Sequence, residues 1–500
     1  MKAAILTETN NGFMLNNYRG FGAQSVKQIF FEAGADCTVF DYATFWERED
    51  LKKSLINYFH NSNDNVIGLS VPIRYVNDDT LTYFIELSKE IKAEIQNVKI
   101  IIGGLRKIDL GELELVRDGI DGVFIGRPKE MLQDWLAGKD LSKFNDTDYD
   151  HIYTNLNYDM EIEKPVLFDL MTEDDCLNER DVLGVEISLG CKFNCSFCDY
   201  PMRNAKKLNL NCEEAMLYTL QQAKDRYGIT NFYVADDTLN ESNEKLELLA
   251  KVVSQLDYKP NLVAFARLDV LSRRPEQIPL LKQANVVGLN FGIETLSKEA
   301  AKSIRKGYDF DGFVTTLETL RREHPECWLN GCFITGLVGD NKDNFKKKLE
   351  LLISKGLLDN VLMGELNIFP WKHKAGEVIT HDEGWLSDID KDPGKFGYNI
   401  DPETHKWYHD EESEEEARKW TIPYLQELVD SKIFVGVDCF SFLSVLALGI
   451  GNRKTVWEDV RNHEGMPFRL LNHKLQLHSI KHIKQYIQKK QEWISSLNLA

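Results

Sequence analysis

The stretch SLGCKFNCSFCDY, residues 188–200, concentrates three of the chain's nine cysteines within eight positions. Outside this stretch, no two cysteines lie closer together than Cys327 and Cys332. Thiolates are preferred ligands of zinc ions and of iron–sulfur clusters. The spacing therefore predicts a metal centre on one short loop.

The three cysteines, Cys191, Cys195 and Cys198, favour an iron–sulfur cluster over a closed zinc site. A structural zinc ion needs four ligands, commonly two close pairs of Cys or His. No histidine lies between His151 and His324, so a zinc site would need a distant fourth ligand. Three thiolates on one loop suit a cube of four irons in which one iron keeps an open position. The loop therefore predicts a cluster that can bind a substrate.

Apolar, strand-like runs alternate with helical patterns around this loop. The six predicted strands are Gly184–Leu189, Asn231–Ala235, Leu262–Ala266, Val287–Ile293, Leu329–Thr335 and Asn360–Phe369. Six βα units predict a partial (β/α)6 TIM-like barrel, whose site forms at the carboxyl ends of the strands. The cysteine loop follows the first strand and is expected at the barrel mouth.

The first 140 residues show the same alternation with shorter strands. Predicted strands are Ala3–Leu6, Thr38–Tyr42, Val66–Val71, Lys99–Ile102 and Gly122–Ile125, and predicted helices are Gln24–Ala33, Asp79–Ile95 and Leu113–Arg117. Such an order requires crossover connections, which favour a doubly wound, Rossmann or flavodoxin-like parallel sheet. Ligands of such sheets lie beyond the carboxyl ends of the strands.

The hydrophobic fraction of 43% indicates a globular protein, and the alternation of strands and helices predicts the fold class α/β. The net charge of −19 opposes nonspecific binding to nucleic acid. The apolar run Ile433–Gly451 is interrupted by Asp438 and predicts a buried helix rather than a membrane span. The acid-free run His473–Lys490 predicts an amphipathic helix with a solvated face. An odd number of scattered cysteines and a start without a signal peptide lead us to expect a cytoplasmic protein without a membrane partner.

The cysteine loop resembles the Cys-x3-Cys-x2-Cys loop of radical S-adenosylmethionine (radical SAM) enzymes, with Phe197 directly before the third cysteine. The resemblance implies that the cysteines hold a [4Fe-4S] cluster and that its open iron binds S-adenosylmethionine. It also implies a reducing electron donor such as flavodoxin or ferredoxin. Cleavage would give a 5'-deoxyadenosyl radical that takes hydrogen from an unactivated carbon.

Later strands extend this resemblance through FYVADDTLNES, AFARLD, NFGIETLSKEAAKSIRKG and GCFITGLVGD. They imply contacts of Asp236 and Asp237 with S-adenosylmethionine or substrate, and of Arg267 with the methionine carboxylate. Glu294 would approach the ribose or amino group, and Gly336 the adenine. Structural roles are the alternatives, such as a helix cap for Asp237 or an ion pair for Arg267. The family's Gly-Gly-Glu motif is absent from the second strand.

The N-terminal sheet resembles the cobalamin-binding module of one branch of this family. Ser70 in LSVPI and Gly103 and Gly104 in IIGG stand where the cofactor's nucleotide tail would approach the backbone. The Asp-x-His-x2-Gly loop that ligates cobalt elsewhere is missing. A bound cobalamin should therefore lack a protein histidine on its lower face.

The expected domains are a cobalamin-binding-like Rossmann domain at 1–140, a connecting segment at 141–182, the barrel at 183–372 and a mostly helical region at 373–500. The resemblance implies cobalamin-dependent methylation, or a related modification, of an unactivated carbon. One alternative is a cobalamin-independent radical SAM enzyme whose N-terminal domain binds substrate or a partner. A zinc-stabilised binding protein is the alternative of another class. The substrate and any catalytic acid or base are unassigned.

Overall fold

The computed structural model contains two compact units. It describes residues 1–9, 16–70, 78–95, 97–105, 108–109, 119–144, 151–155, 171–200, 202–205, 209–368, 378–379, 386–430, 437–462 and 467–497. The N-terminal unit comprises Met1–Leu183, Lys374–Trp385 and Gln476–Ala500, and the barrel unit comprises Gly184–His373 and Leu386–Leu475. The predicted helix Leu113–Arg117 lies outside the described residues. The domain boundaries drawn from the sequence stay predictions.

A six-stranded sheet forms the centre of the N-terminal unit. Its strands are β1 (Lys2–Thr7), β2 (Asp36–Phe40), β3 (Asn65–Ser70), β4 (Val98–Leu105), β6 (Gly122–Gly126) and β7 (Ile152–Asn155). They pair in parallel in the order β2-β1-β3-β4-β6-β7. This flavodoxin-like order reverses between β1 and β3, which is where such sheets open a ligand crevice. The predicted doubly wound sheet is confirmed.

Four described helices accompany this sheet: α1 (Phe21–Glu32), α2 (Arg48–Phe59), α3 (Asp78–Glu94) and α4 (Pro128–Leu136). Two apolar clusters lie against its faces, one around Phe40, Phe84 and Ile100 and the other around Phe30, Ile101 and Met131. Strands buried on both faces explain the near-continuous apolar runs seen in the sequence. A short antiparallel pair joins β5 (Ile108–Asp109) to β16 (Val378–Ile379).

The last helix is α16 (Pro467–Leu497), and its part from Gln476 onwards packs in the N-terminal unit through buried polar contacts. His482 Nε2 lies 2.9 Å from Asp181 Oδ1, and Lys490 Nζ donates to Thr38 Oγ1 over 2.6 Å. Burial disfavours the charge on Lys490 and lowers its pKa, although Asp174 opposes that shift. The helix is amphipathic as predicted. Its predicted solvated face carries Lys481, Lys484 and Lys489, whereas His482 and Lys490 are fully buried.

The barrel unit is built on a second six-stranded sheet. Its strands are β8 (Val182–Val185), β11 (Asn231–Val234), β12 (Asn261–Ala266), β13 (Val286–Glu294), β14 (Trp328–Thr335) and β15 (Asn360–Glu365). They lie side by side in chain order, and the pairs from β11 to β15 are parallel. This sequential order is that of a partial (β/α)6 barrel and confirms the predicted fold class.

The first barrel strand is shorter than predicted. Val182–Val185 joins the sheet, but β9 (Ser188–Leu189) pairs antiparallel with β10 (Asn209–Leu210). The chain therefore leaves the main sheet before the cysteine loop begins. A further antiparallel pair joins β17 (Asn399–Ile400) to β18 (Trp407–Tyr408).

Eleven described helices begin and end within the barrel unit: α5 (Glu213–Tyr227), α6 (Asn243–Ser254), α7 (Leu268–Arg273), α8 (Gln277–Gln283), α9 (Lys298–Ser303), α10 (Phe310–Glu323), α11 (Lys342–Ser354), α12 (Asp388–Lys391), α13 (Glu414–Asp430), α14 (Cys439–Ala447) and α15 (Arg453–Asn462). Helix α14 confirms the buried helix predicted within Ile433–Gly451. Among the described residues, none of the helices is both long and apolar enough to cross a bilayer.

Candidate functional site

The cysteine loop is tied at both ends by backbone hydrogen bonds. Cys191 N donates to Met202 O over 3.0 Å, and Ala205 N donates to Cys191 O over 2.9 Å. Cys198 N donates to Cys195 O over 3.2 Å, which closes a tight turn between the second and third cysteines. All three are free thiols, with Cys191 and Cys195 buried and Cys198 half-buried. The loop thus presents three thiols on a fixed backbone.

Asp236 supports the backbone that leads into the loop. Its carboxylate accepts hydrogen bonds from Ile187 N over 2.8 Å and from Ser188 N over 2.7 Å. Lys245 Nζ lies 2.6 Å from the same carboxylate, and both side chains are completely buried. The two backbone hydrogen bonds explain why the chain leaves the sheet here, because the N–H groups of Ile187 and Ser188 donate to Asp236 and not to a neighbouring strand. Sequence reasoning missed Lys245, whose Nζ also lies 3.3 Å from Glu241, a residue just before the helix begins.

Arg267 connects the third strand to the cysteine loop. Its Nη1 donates to Cys195 Sγ over 3.0 Å, while Nε and Nη2 donate to Asp269 over 2.9 and 3.1 Å. The guanidinium also lies 3.9 Å from the ring centre of Phe193. The guanidinium therefore brings a positive charge to the middle sulfur of the loop. Asp269 and Phe193 were not singled out from the sequence.

The other two thiols lie in a more apolar setting. Burial raises the pKa of Cys191, although Thr238 Oγ1 lies 3.6 Å from its sulfur. Burial also raises the pKa of Cys198 to about 12, and Tyr200 N donates to its sulfur over 3.4 Å. The described residues contain no group of three or more His, Cys, Asp or Glu side chains arranged around a single ion. A donor set of three soft sulfurs fits an iron–sulfur cluster.

The remaining barrel residues singled out from the sequence occupy different surroundings. Phe197 packs against an apolar cluster that contains Trp407. Glu294 ends its strand with φ 68° and receives Lys306 Nζ at 2.9 Å. Asp237 is exposed and is hydrogen-bonded to Tyr200, whose pKa is raised chiefly by burial.

Gly336 is enclosed by protein. It has φ 79°, and a Cβ there would overlap the ring of Trp407. Its carbonyl accepts a hydrogen bond from Tyr398 Oη over 3.2 Å. The close approach of Trp407 therefore requires glycine here, whatever else approaches the backbone. The cofactor roles of Phe197, Asp236, Asp237, Glu294 and Gly336 stay predictions.

A separate cavity of about 250 Å³ lies at the carboxyl edge of the N-terminal sheet. Ser70, Gly103 and Gly104 all line it, together with Gly126 and apolar side chains such as Leu132. A Cβ on Gly103 would meet nothing closer than Phe124 O at 3.7 Å. The space beside Gly103 is therefore open, and its apolar walls suit a flat, uncharged group.

Comparison with known proteins identifies part of the chain. The family model described as the Radical SAM superfamily matches residues 185–352. The ribosomal protein uS12 methylthiotransferase RimO of Prosthecochloris aestuarii is 23% identical over 202 residues, which are 38% of this chain and 43% of that protein. The hopanoid C-2 methylase of Rhodopseudomonas palustris is 28% identical over 143 residues, which are 28% of this chain and 26% of that protein. The alignments thus span less than half of either relative.

Solved structures share the fold over a larger part of the chain. The radical S-adenosylmethionine methyltransferase TsrM from Kitasatospora setae, with cobalamin and a [4Fe-4S] cluster bound, has a TM-score of 0.54 at 15% identity and covers 74% of this chain and 73% of that one. The cobalamin-dependent radical enzyme OxsB, with aqua-cobalamin and S-adenosylmethionine bound, has a TM-score of 0.52 at 14% identity and covers 99% of this chain and 79% of that one. The predicted resemblance is confirmed: residues 185–352 match the Radical SAM superfamily.

Proposed function

We propose that this chain is a radical SAM enzyme that binds a [4Fe-4S] cluster at Cys191, Cys195 and Cys198 and a cobalamin at the N-terminal sheet. With S-adenosylmethionine and one electron, the bound cofactors would supply a 5'-deoxyadenosyl radical that removes hydrogen and a methyl group that replaces it on an unactivated carbon. The contact between Arg267 and Cys195 carries the proposal, because it joins a barrel strand end to the cysteine loop.

The chain's own residues would position the cluster and keep water away. Asp236 and Lys245 fix the backbone before the loop, and backbone N–H groups bond to the loop itself. Arg267 brings a positive charge to the sulfur of Cys195, and Asp269 holds the guanidinium in that orientation. Preorganised groups of this kind lower the cost of charge changes in a buried site.

The cavity lined by Ser70, Gly103 and Gly104 supports the cobalamin part of the proposal. Its apolar walls, and glycines that place no side chain in it, would admit the flat base of the cofactor's nucleotide tail. OxsB and TsrM, which share the fold, are described with cobalamin bound. We also propose that the substrate is modified at a carbon atom and that a flavodoxin or ferredoxin donates the electron. A cytoplasmic location is likewise proposed.

Anaerobic reconstitution tests this function. The full chain would be reconstituted with iron, sulfide and hydroxocobalamin, reduced with dithionite and given S-adenosylmethionine. Iron, corrinoid and 5'-deoxyadenosine would then be quantified. Cys195→Ala should lose cluster iron and 5'-deoxyadenosine. Cys212→Ser is the matched control, because Cys212 is an exposed helix cap whose sulfur accepts from Ala215 N, a role that serine fills well.

The outcomes separate the alternatives. Iron and 5'-deoxyadenosine without stoichiometric corrinoid would support the alternative of a cobalamin-independent radical SAM enzyme, whose N-terminal unit binds substrate or a partner. One zinc and no iron would instead support a zinc-stabilised binding protein and end the proposal.

A further inference from the structure

One face of the barrel sheet carries a continuous set of uncharged side chains. Phe265 pairs with Asn290 across neighbouring strands. Gly292, two residues beyond Asn290, pairs with Cys332, which pairs with Leu362 on the next strand. Residues paired in register, and residues two apart on a strand, share one face of a sheet. These five positions therefore lie on the same face, and their own side chains are uncharged. The charged groups of Glu294 and Lys306 lie beside Gly292, and these two side chains neutralise each other in an ion pair of 2.9 Å.

Both ends of this set are open, although they lie on strands of a parallel sheet. Phe265 is 38% exposed and Leu362 is 44% exposed. Parallel sheets normally have both faces covered. Three strand spacings separate the two side chains, or about 14 Å along the sheet. Uncovered apolar side chains at such positions indicate space for an apolar molecule between them.

Helix α14 closes the space at the amino-terminal side of the strands. Its Phe442 stacks on Trp328 with ring centres 4.4 Å apart, and its Phe440 lies 4.9 Å from the ring of Phe265. A Cβ on Gly288 would contact Cys439, the first residue of the helix, at 2.9 Å. The helix is thus packed directly onto the strands, and Phe440 and Phe265 form an aromatic floor.

A buried amide on this face lacks part of its hydrogen bonding. Asn290 is 2% exposed and is hydrogen-bonded to the carboxyl group of Asp438. Within the part of the chain that the structure describes, its Oδ1 has no hydrogen-bond partner. Buried polar atoms are nearly always paired. An acceptor left free beside an apolar surface fits a ligand that brings one N–H or O–H group.

Resting on the proposed function, we infer that this face binds the substrate, and that the substrate is an uncharged, largely apolar molecule with one N–H or O–H donor. Phe265 and Leu362 determine its specificity, helix α14 is its floor, and Asn290 accepts its single donor. Arg267 lies two residues beyond Phe265 and donates to Cys195, so this face leads towards the cysteine loop.

A pair of fluorescent probes tests this inference. N-phenyl-1-naphthylamine is uncharged and has one N–H, and 8-anilino-1-naphthalenesulfonate has the same rings with an added negative charge. Each would be titrated with the anaerobically purified full chain. We expect saturable binding of the uncharged probe and at least about tenfold weaker binding of the sulfonate.

Serine substitutions locate the bound probe. Phe265→Ser and Leu362→Ser should each weaken binding of the uncharged probe about tenfold. Leu351→Ser is the matched control, because Leu351 is 41% exposed in the same unit but lies on helix α11. Replacing exposed side chains should leave the fold intact, which thermal melting would check. The cavity of the N-terminal unit is unchanged in all three variants, so differences between them report on the barrel face.

Three results would overturn the inference: no saturable binding by the wild type, equal affinity for the two probes, or wild-type affinity in Phe265→Ser and Leu362→Ser. Probe binding requires neither iron nor S-adenosylmethionine. Its failure is therefore distinguishable from failure of the radical SAM chemistry, which iron and 5'-deoxyadenosine report on the same samples.

Discussion

The guanidinium of Arg267 and the sulfur of Cys195 are in direct contact, with Nη1 3.0 Å from Sγ. They lie 72 residues apart in the chain. The third barrel strand therefore controls the electrostatic surroundings of the middle cysteine.

Replacing Arg267 with Gln should slow the formation of 5'-deoxyadenosine. A hydrogen bond to a charged group contributes about 1.5–3 kcal/mol, so a loss of roughly 10- to 100-fold in rate is expected. Arg273→Gln is the control, because Arg273 also bonds Asp269 but is largely exposed. Initial rates at equal iron content would measure the effect. Equal rates in the two variants would contradict it.

Asp236→Asn should destabilise the barrel unit, while Asp237→Asn should not. The first change leaves Lys245 buried without its closest carboxylate, which typically costs about 3 kcal/mol or more. Asp237 is exposed, and surface changes usually stay within about 0.5 kcal/mol. Thermal melting would detect a midpoint lower by several degrees for Asp236→Asn alone. Similar midpoints for both variants would show that the Asp236 contacts contribute little to stability.

Gly103→Leu should block corrinoid binding without unfolding the N-terminal unit. The added side chain would enter the open cavity, where even its Cβ meets nothing closer than 3.7 Å. Gly394→Leu is the control, since a Cβ there would lie 3.8 Å from its nearest neighbour in the barrel unit. Equilibrium binding of hydroxocobalamin should fall at least about tenfold in the first variant only. Full uptake by Gly103→Leu would place the corrinoid elsewhere.

His482→Gln should make the N-terminal unit more sensitive to acid. Burial disfavours the charge on Asp181, but Arg19 and His482 outweigh it and lower its pKa to about 2. The unfolded value is about 3.9, so this carboxylate stabilises the fold above about pH 4 and loses that effect as the pH falls towards 2. Removing His482 raises the folded pKa and moves the loss to higher pH.

Acid titrations followed by circular dichroism would measure this change, with an expected upward shift of about half a pH unit in the midpoint. His478→Gln on the same helix is the control, because His478 is exposed. An unshifted midpoint in His482→Gln would show that Arg19 alone controls the ionisation of Asp181.

Strand order and loop position were predictable because local patterns determine them. Apolar runs mark the buried parallel strands, and the spacing of Cys191, Cys195 and Cys198 is contained in one short stretch. The end of the first barrel strand was not predictable. The N–H groups of Ile187 and Ser188 bond to the carboxylate of Asp236, a residue about fifty positions away, rather than to a neighbouring strand.

The hydrogen-bond partners of the last helix were also not predictable from the sequence. His482 and Lys490 look like ordinary solvated residues of a basic helix, because their carboxylate and hydroxyl partners lie 301 and 452 residues earlier. The packing of Phe440 on Phe265 was unpredictable for the same reason, because the two residues are distant in the chain. A short apolar helix can be recognised from its composition, but not the strands on which it packs.

The buried contacts of His482 and Lys490 also constrain the order in which the protein can fold during its synthesis. Ribosomes release the N-terminal strands first, whereas two of the groups that contact Asp181 and Asp174, His482 and Lys490, are translated some 300 positions later. The first sheet therefore cannot reach its final state before the barrel has been made. Any fragment that stops at Leu183 would keep the ion pairs of Asp181 with Arg19 and of Asp174 with Lys27, but would lack the contacts of His482 and Lys490.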